Sequence, residues 1–193
     1  MLTLGLDPGS RVTGYGLVRR EGPRWRAVEA GVFSLGGGPL PERLSRLHVG
    51  LAELIARHRP EAAAVEGIFS QRAARSALIL GHARGVVLLA LAQAGLEIHE
   101  YPPATVKRSL TQGGARSKAS VARSVQQLLG LSGELRADAS DALAIAICHL
   151  SRSWVPERAG APSPWLRAIA GAPAAPPSAA NLLLRAALKG RGR

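Results

Sequence analysis

Residues 2–18 read LTLGLDPGSRVTGYGLV. Leu2, Leu4 and Leu6 alternate with Thr3, Gly5 and Asp7, which is the period of a strand. Pro8-Gly9 predicts a turn, and Val12 to Val18 predicts a second strand running back beside the first. A third strand is expected from Trp25 to Phe33. The opening is therefore an antiparallel meander, and Gly36-Gly37-Gly38-Pro39 breaks the chain after it.

Beyond that break the period changes. Leu44, Leu47, Leu51, Leu54 and Ile55 recur at spacings of three and four with Arg and Glu between them, which predicts an amphipathic helix closed by Arg59-Pro60. Ala62 to Val65 is a short apolar run ending at Glu66, the pattern of a buried parallel strand. A long helix is expected from about Arg72 to Ala94, stopped by Gly95, then a fifth strand from Leu96 to Tyr101. Pro102-Pro103 opens a helix through Leu110, Ser117 opens another to Leu129, and Asp138 begins a last one to about Ser153. Three antiparallel strands followed by alternating helices and strands predict an α/β fold with a five-stranded mixed sheet flanked by helices.

The character shifts after Trp154. Residues 155–193 hold six of the 13 prolines and carry six Lys or Arg against one Glu, a net of +5. Such a segment buries little and is expected to stay disordered. The expected organisation is a folded domain over 1–154 and a Pro/Ala-rich basic C-terminal tail over 155–193.

Composition narrows the partners. The chain has 193 residues and a formal charge of +12, which points first to nucleic acid. Cys148 is the single cysteine, so no intrachain disulfide and no Cys-rich zinc site can form. MLTLGLDPGS lacks the pattern of a signal peptide, and no unbroken run of about 18 apolar residues is present. The expected location is the cytoplasm.

The acidic residues are the most informative. There are ten Glu but only three Asp: Asp7, Asp138 and Asp141. Asp7 ends the first strand and Glu66 the fourth, so neighbouring strands would bring them together. Asp138 and Asp141 are three apart on one helix face. Carboxylates crowded in this way must raise their pKa values or recruit a cation, and hard oxygen ligands without His or Cys suit Mg²⁺ or Mn²⁺. Two such ions about 4 Å apart support in-line phosphodiester hydrolysis. Each residue also has an ordinary explanation: Asp7 as a turn residue, Glu66 as a loop charge, Asp138 as a helix cap favoured with Asp141 by the helix dipole.

At this point the sequence resembles a known family. LGLDPGSRVTGYGLV (4–18), AVEGIFSQRAARSALILGHARGVVL (64–88), YPPATVKRSLTQGGARSKASV (101–121) and ADASDALAIAICH (137–149) are similar to the motifs of RuvC proteins, with gap lengths that agree. The resemblance implies an RNase H-like fold and a homodimeric, Mg²⁺-dependent endonuclease. Such enzymes resolve Holliday junctions in DNA recombination and repair by paired symmetric nicks. It implies Asp7, Glu66, Asp138 and Asp141 as catalytic metal ligands, with two Mg²⁺ ions that Mn²⁺ can replace. Some members have His at the position of Asp138. Phe69 matches an aromatic that stacks on bases near the crossover, and Lys107 and Lys118 match lysines that act at the scissile backbone. Four-way junction DNA and the RuvA–RuvB branch-migration complex are the implied partners. The family often has Gln where this chain has Gly67.

Read without the resemblance, Phe69 fits a core position as well as a stacking one, and both lysines fit an ordinary surface. Arg72, Arg75 and Arg84 are candidates for a basic face. The long helix, with its small apolar residues from Ala73 to Ala94, is a candidate dimer surface. Three other readings compete. A non-catalytic junction-binding module is one, but four carboxylates near phosphate bring such a surface nothing without metal. A related RNase H-like nuclease acting on other nucleic-acid substrates would use the same metal chemistry. An actin-like phosphate-binding turn at Asp7–Gly14 would require a second such domain, which 193 residues do not supply.

Overall fold

A computed structural model describes residues 1–67, 74–111 and 117–153. The chain divides into two units, Met1–Arg158 and Ala159–Arg193, and every described residue belongs to the first. Trp154 and the tail at 155–193 lie outside the described residues.

The element order is β1 (Leu2–Asp7), β2 (Val12–Glu21), β3 (Arg24–Ser34), α1 (Leu40–His58), β4 (Ala62–Glu66), α2 (Ala74–Gln93), β5 (Glu97–Tyr101), α3 (Pro103–Leu110), α4 (Lys118–Leu129) and α5 (Ala137–Arg152). The strands form one five-stranded sheet in the order β3-β2-β1-β4-β5. β1 pairs antiparallel with β2 and parallel with β4, and β4 pairs parallel with β5. The sheet is mixed, as the sequence predicts, and the first and fourth strands are neighbours.

The β2–β3 hairpin runs further than hydrophobicity alone suggests. Pairing continues out to Glu21 and Arg24 through charged, mostly exposed residues, because edge-strand ladders need backbone partners rather than apolar side chains. The last helix starts one residue earlier than expected. Its N-cap is Arg136, which makes no side-chain cap bond, so Asp138 sits inside the first turn and is not the cap. α4 begins as its sequence predicts, with the Ser117 side chain accepting from the Ser120 N–H at 3.2 Å.

Both faces of the sheet are covered, and strand alternation assigns residues to each. On one face Leu2, Leu4, Leu6, Leu17, Ala63 and Val65 pack with Leu47, Leu51 and Leu54 of α1 and Val87 and Leu91 of α2. On the other, Val18 and Ala64 pack with Ile145 and Ile147 of α5, Val106 of α3 and Val125 of α4. With a period of two, Asp7 falls on the same face as Gly5, and Glu66 on the same face as Ala64. Both carboxylates therefore point to the α5 side.

α5 lies very close to the sheet, and glycines make that possible. A Cβ placed on Gly5 would stand 2.1 Å from the Ala142 carbonyl oxygen, and one on Gly14 would stand 2.0 Å from that of Asp138. Glycine within a strand marks such close approach of another backbone.

α2 contains an 18-residue window, Ser76–Gln93, long and apolar enough by composition to cross a membrane. It is not an unbroken apolar run: it is apolar on average, with Arg84 as its only formal charge. Ala83, Val87, Ala90 and Leu91 are buried in the core, so one side of α2 is an ordinary core helix face.

Candidate active site

Asp7 stands opposite Gly14 in the β1–β2 ladder, and the first turn of α5 rests on Gly14 at Asp138. Strand pairing, one glycine and one helix end thus bring Asp7 and Asp138 together from positions 131 residues apart in sequence. Asp141 follows one turn later. Glu66 ends β4, beside β1. All four carboxylates line one cleft of about 510 Å³, as do Lys107 of α3 and Lys118 of α4. The apolar part of the lining comes from residues such as Val106, Val121 and Ile145.

Crowding is visible in the protonation of the site. Asp7 is pushed from 3.8 to about 7, first by burial and then by repulsion from Glu66 and Asp141. Glu66 is also raised, again chiefly by burial, with Asp141 adding repulsion and Lys118 and Lys107 opposing it. The two carboxyls share a hydrogen bond that raises Asp7 and lowers Glu66. A carboxyl whose pKa is raised toward neutrality by burial and by its neighbours is one whose proton a cation readily displaces.

Among the described residues no three acidic, imidazole or thiol groups close into a finished metal cage. Mg²⁺ takes one or two protein carboxylates and fills the rest of its octahedron with water and phosphate oxygen. The donors in the cleft, four carboxylates without His or Cys, fit this chemistry.

Lys118 is the first residue of α4, where its charge meets the positive end of the helix dipole. Asp141 offsets this across 3.6 Å, with the lysine side chain 80% exposed. A cation placed against local preference, at the mouth of an acidic cleft, is oriented for an anion entering from solvent. Lys107 sits in the last turn of α3, the end that favours a cation.

Of the seven site residues proposed from sequence, six line this one cleft. Phe69 lies outside the described residues, as do Arg72 and the side chain of Arg75. Arg84 does not join a basic face: it is 6% exposed and points inward. Sequence reasoning missed that inward turn, and also missed the part played by Gly5, Gly14 and Gly16. Their signal was present, since glycines at alternate positions on adjacent strands mark a face too close for side chains.

Known proteins match this arrangement. The family profile described as "Crossover junction endodeoxyribonuclease RuvC" matches residues 3–149. The chain is 51% identical over 152 residues to the crossover junction endodeoxyribonuclease RuvC of Anaeromyxobacter sp. (strain K), covering 79% of this chain and 82% of that one. It is 52% identical over 156 residues to that of Myxococcus xanthus (strain DK1622), covering 78% and 81%. Among solved structures it is similar to T. thermophilus RuvC in complex with Holliday junction substrate, with a TM-score of 0.72, 35% identity, and coverage of 80% and 97%.

Proposed function

This chain belongs to the RuvC family of crossover junction endodeoxyribonucleases, and from that premise we propose that it hydrolyses DNA strands at four-way junctions using two Mg²⁺ ions held by Asp7, Glu66, Asp138 and Asp141. The enzyme is a structure-selective endonuclease that resolves Holliday junctions in recombination and repair. The observation that carries the site assignment is the convergence of those four carboxylates on one cleft flanked by Lys107 and Lys118.

Bound Mg²⁺ would activate a water and stabilise the leaving 3′-oxygen of an in-line displacement, and Mn²⁺ would substitute. The residues set up that chemistry. Asp7 and Glu66 would hold the metal from the two strand ends. Asp138 and Asp141 close the site from α5. Lys118 reaches the scissile phosphate from its exposed position, and Lys107 offsets negative charge from the wall of the cleft. Phe69 stacks on a base near the crossover.

A twofold homodimer presents one such cleft to each of two like strands. The exposed side of α2 supports that assembly. Leu78 is 64% and Leu89 51% exposed, and they border a shallow groove of about 470 Å³ with Ala77, Gly81 and Gly85. Cytoplasmic location is consistent with one buried free thiol, Cys148. Docking to the RuvA–RuvB branch-migration complex completes the reading.

The test is cleavage of a synthetic four-way junction with Mg²⁺, with Mn²⁺ and with EDTA, mapping nicks on all strands. Paired nicks placed symmetrically about the crossover, lost in EDTA, are expected. Equal cleavage of an RNA–DNA hybrid in the same assay would favour a general RNase H-like nuclease instead.

The tail at 155–193 forms a separate, catalytically dispensable segment in this proposal. Deleting it removes a net charge of +5. Junction affinity then falls modestly, and the log–log salt slope flattens by about one unit for each Lys or Arg engaged. Loss of all cleavage in a truncation that still melts cooperatively would overturn this.

A further inference from the structure

Arg84 sits within α2 with its guanidinium almost wholly out of water. A charge buried this far must be paired and hydrogen-bonded. One nitrogen forms an ion pair with Glu100 Oε2 of β5 at 2.7 Å. Another donates to the backbone carbonyl of Glu66.

The second bond explains how β4 ends. The β1–β4 ladder stops at Leu6 and Val65, one residue short of Glu66. β1 then runs into Pro8, which has no N–H to extend the ladder. On the other side β4 stays tied to β5, through the Glu66–Tyr101 pair and the Gly67 N–H donating to the Tyr101 carbonyl at 2.7 Å. Arg84 gives the Glu66 carbonyl its donor just where β1 gives none.

We propose that Arg84 is a positioning residue: held by Glu100, it fixes the Glu66 backbone so that the carboxylate stays in the cleft. The need for such a fixture comes from the cluster itself. Asp141 repels Glu66, and a strand end free to move would yield to that repulsion. Arg84 acts on Glu66 through its backbone, by donating to the carbonyl. Its planar fork reaches two acceptors on different strands at once, which a lysine ammonium does not reproduce. α2 also carries the exposed Leu78 and Leu89, so the helix offered for dimer contact is pinned to a catalytic strand.

This inference rests on Glu66 being a metal ligand. The test uses the full chain with two variants, Arg84→Lys and the double variant Arg84→Met/Glu100→Gln. The double variant removes the donor together with the carboxylate it is ion-paired to. Four quantities are read: kcat and KM on a four-way junction, Mn²⁺ affinity of the DNA-free protein by electron paramagnetic resonance, and the melting temperature. The expected result is a kcat lower by about 10–100-fold with KM within about twofold, and Mn²⁺ binding weakened by about tenfold. Wild-type kcat and Mn²⁺ affinity in either folded variant overturn the proposal, as does a loss fully accounted for by the unfolded fraction. A wild-type chain that binds no Mn²⁺ overturns the metal-site reading itself, a different result from variants that match an active, Mn²⁺-binding wild type.

Discussion

Asp7→Asn abolishes junction cleavage, with kcat falling by about 10³-fold or more, a barrier increase of about 4 kcal/mol, while junction affinity at fixed salt stays within about threefold. The amide keeps the size of the side chain but cannot act as an anionic ligand. It faces Glu66, Asp138 and Asp141 in the same cleft, so no other group takes over its position between the two strand ends. The same substitution should make the metal-free protein more stable. Asp7 is raised from 3.8 to about 7 in the folded state, so the unfolded chain gives up this proton first as pH rises. The resulting penalty is absent below about pH 4, grows between pH 4 and 7, and is complete above pH 7. A shift of about three pH units corresponds to roughly 4 kcal/mol at most, and partial solvent access reduces that to about 1–2 kcal/mol. In EDTA at pH 8 the variant should melt about 3–6 °C above wild type, and at pH 4 the two should melt together. Full cleavage by Asp7→Asn would sink the site assignment. An unchanged difference in melting temperature across that pH range would show that burial and repulsion do not burden the Asp7 carboxylate.

Much of this site was legible because strand alternation carries two messages. Leu2, Leu4 and Leu6 mark one face of β1, and the intervening Gly5 and Asp7 mark the other. The same parity in β4 sends Glu66 to the side of Ala64. Knowing that the two strands are neighbours then suffices to join the carboxylates. The three-residue spacing of Asp138 and Asp141 adds a shared helix face. The orientation of α2 was not legible in the same way. Its small and apolar residues surround the axis, with Leu78 and Leu89 exposed and Val87 and Leu91 buried. No polar stripe fixes the rotation of the helix, so Arg84 could be named as a candidate for a basic face but not oriented, and it is buried. The bond from Arg84 to the Glu66 carbonyl was illegible for a second reason: it compensates for a missing backbone donor, and backbone donors are counted only once strand register is known. The close seat of α5 on β1 and β2 belongs between these cases, since Gly5, Gly14 and Gly16 are plain in the sequence but their shared face becomes significant only beneath a helix.

That seat carries the second large effect. Gly14→Ala should separate the two halves of the active site. The added Cβ would lie 2.0 Å from the Asp138 carbonyl oxygen and 2.5 Å from its carbon, and both are backbone atoms with no rotamer to escape into. The first turn of α5 must lift by roughly 1 Å to restore ordinary contact, carrying Asp138 and Asp141 away from Asp7 and Glu66. A displacement of that size in a reacting constellation costs about 100-fold in rate, and overpacking costs about 1–3 kcal/mol in stability. Gly16→Ala is the informative comparison. Its Cβ would meet the Leu143 Cδ2 and Cγ at 2.8 Å and the Leu143 N–H nitrogen at 2.9 Å, a clash partly relieved by side-chain movement and further along the helix from the carboxylates. Both variants should melt lower than wild type, but per folded molecule only Gly14→Ala should lose most of its kcat and its Mn²⁺ affinity. Equal retention of activity in the two would mean that the α5 carboxylates tolerate a lifted helix, and that the glycine face serves packing alone.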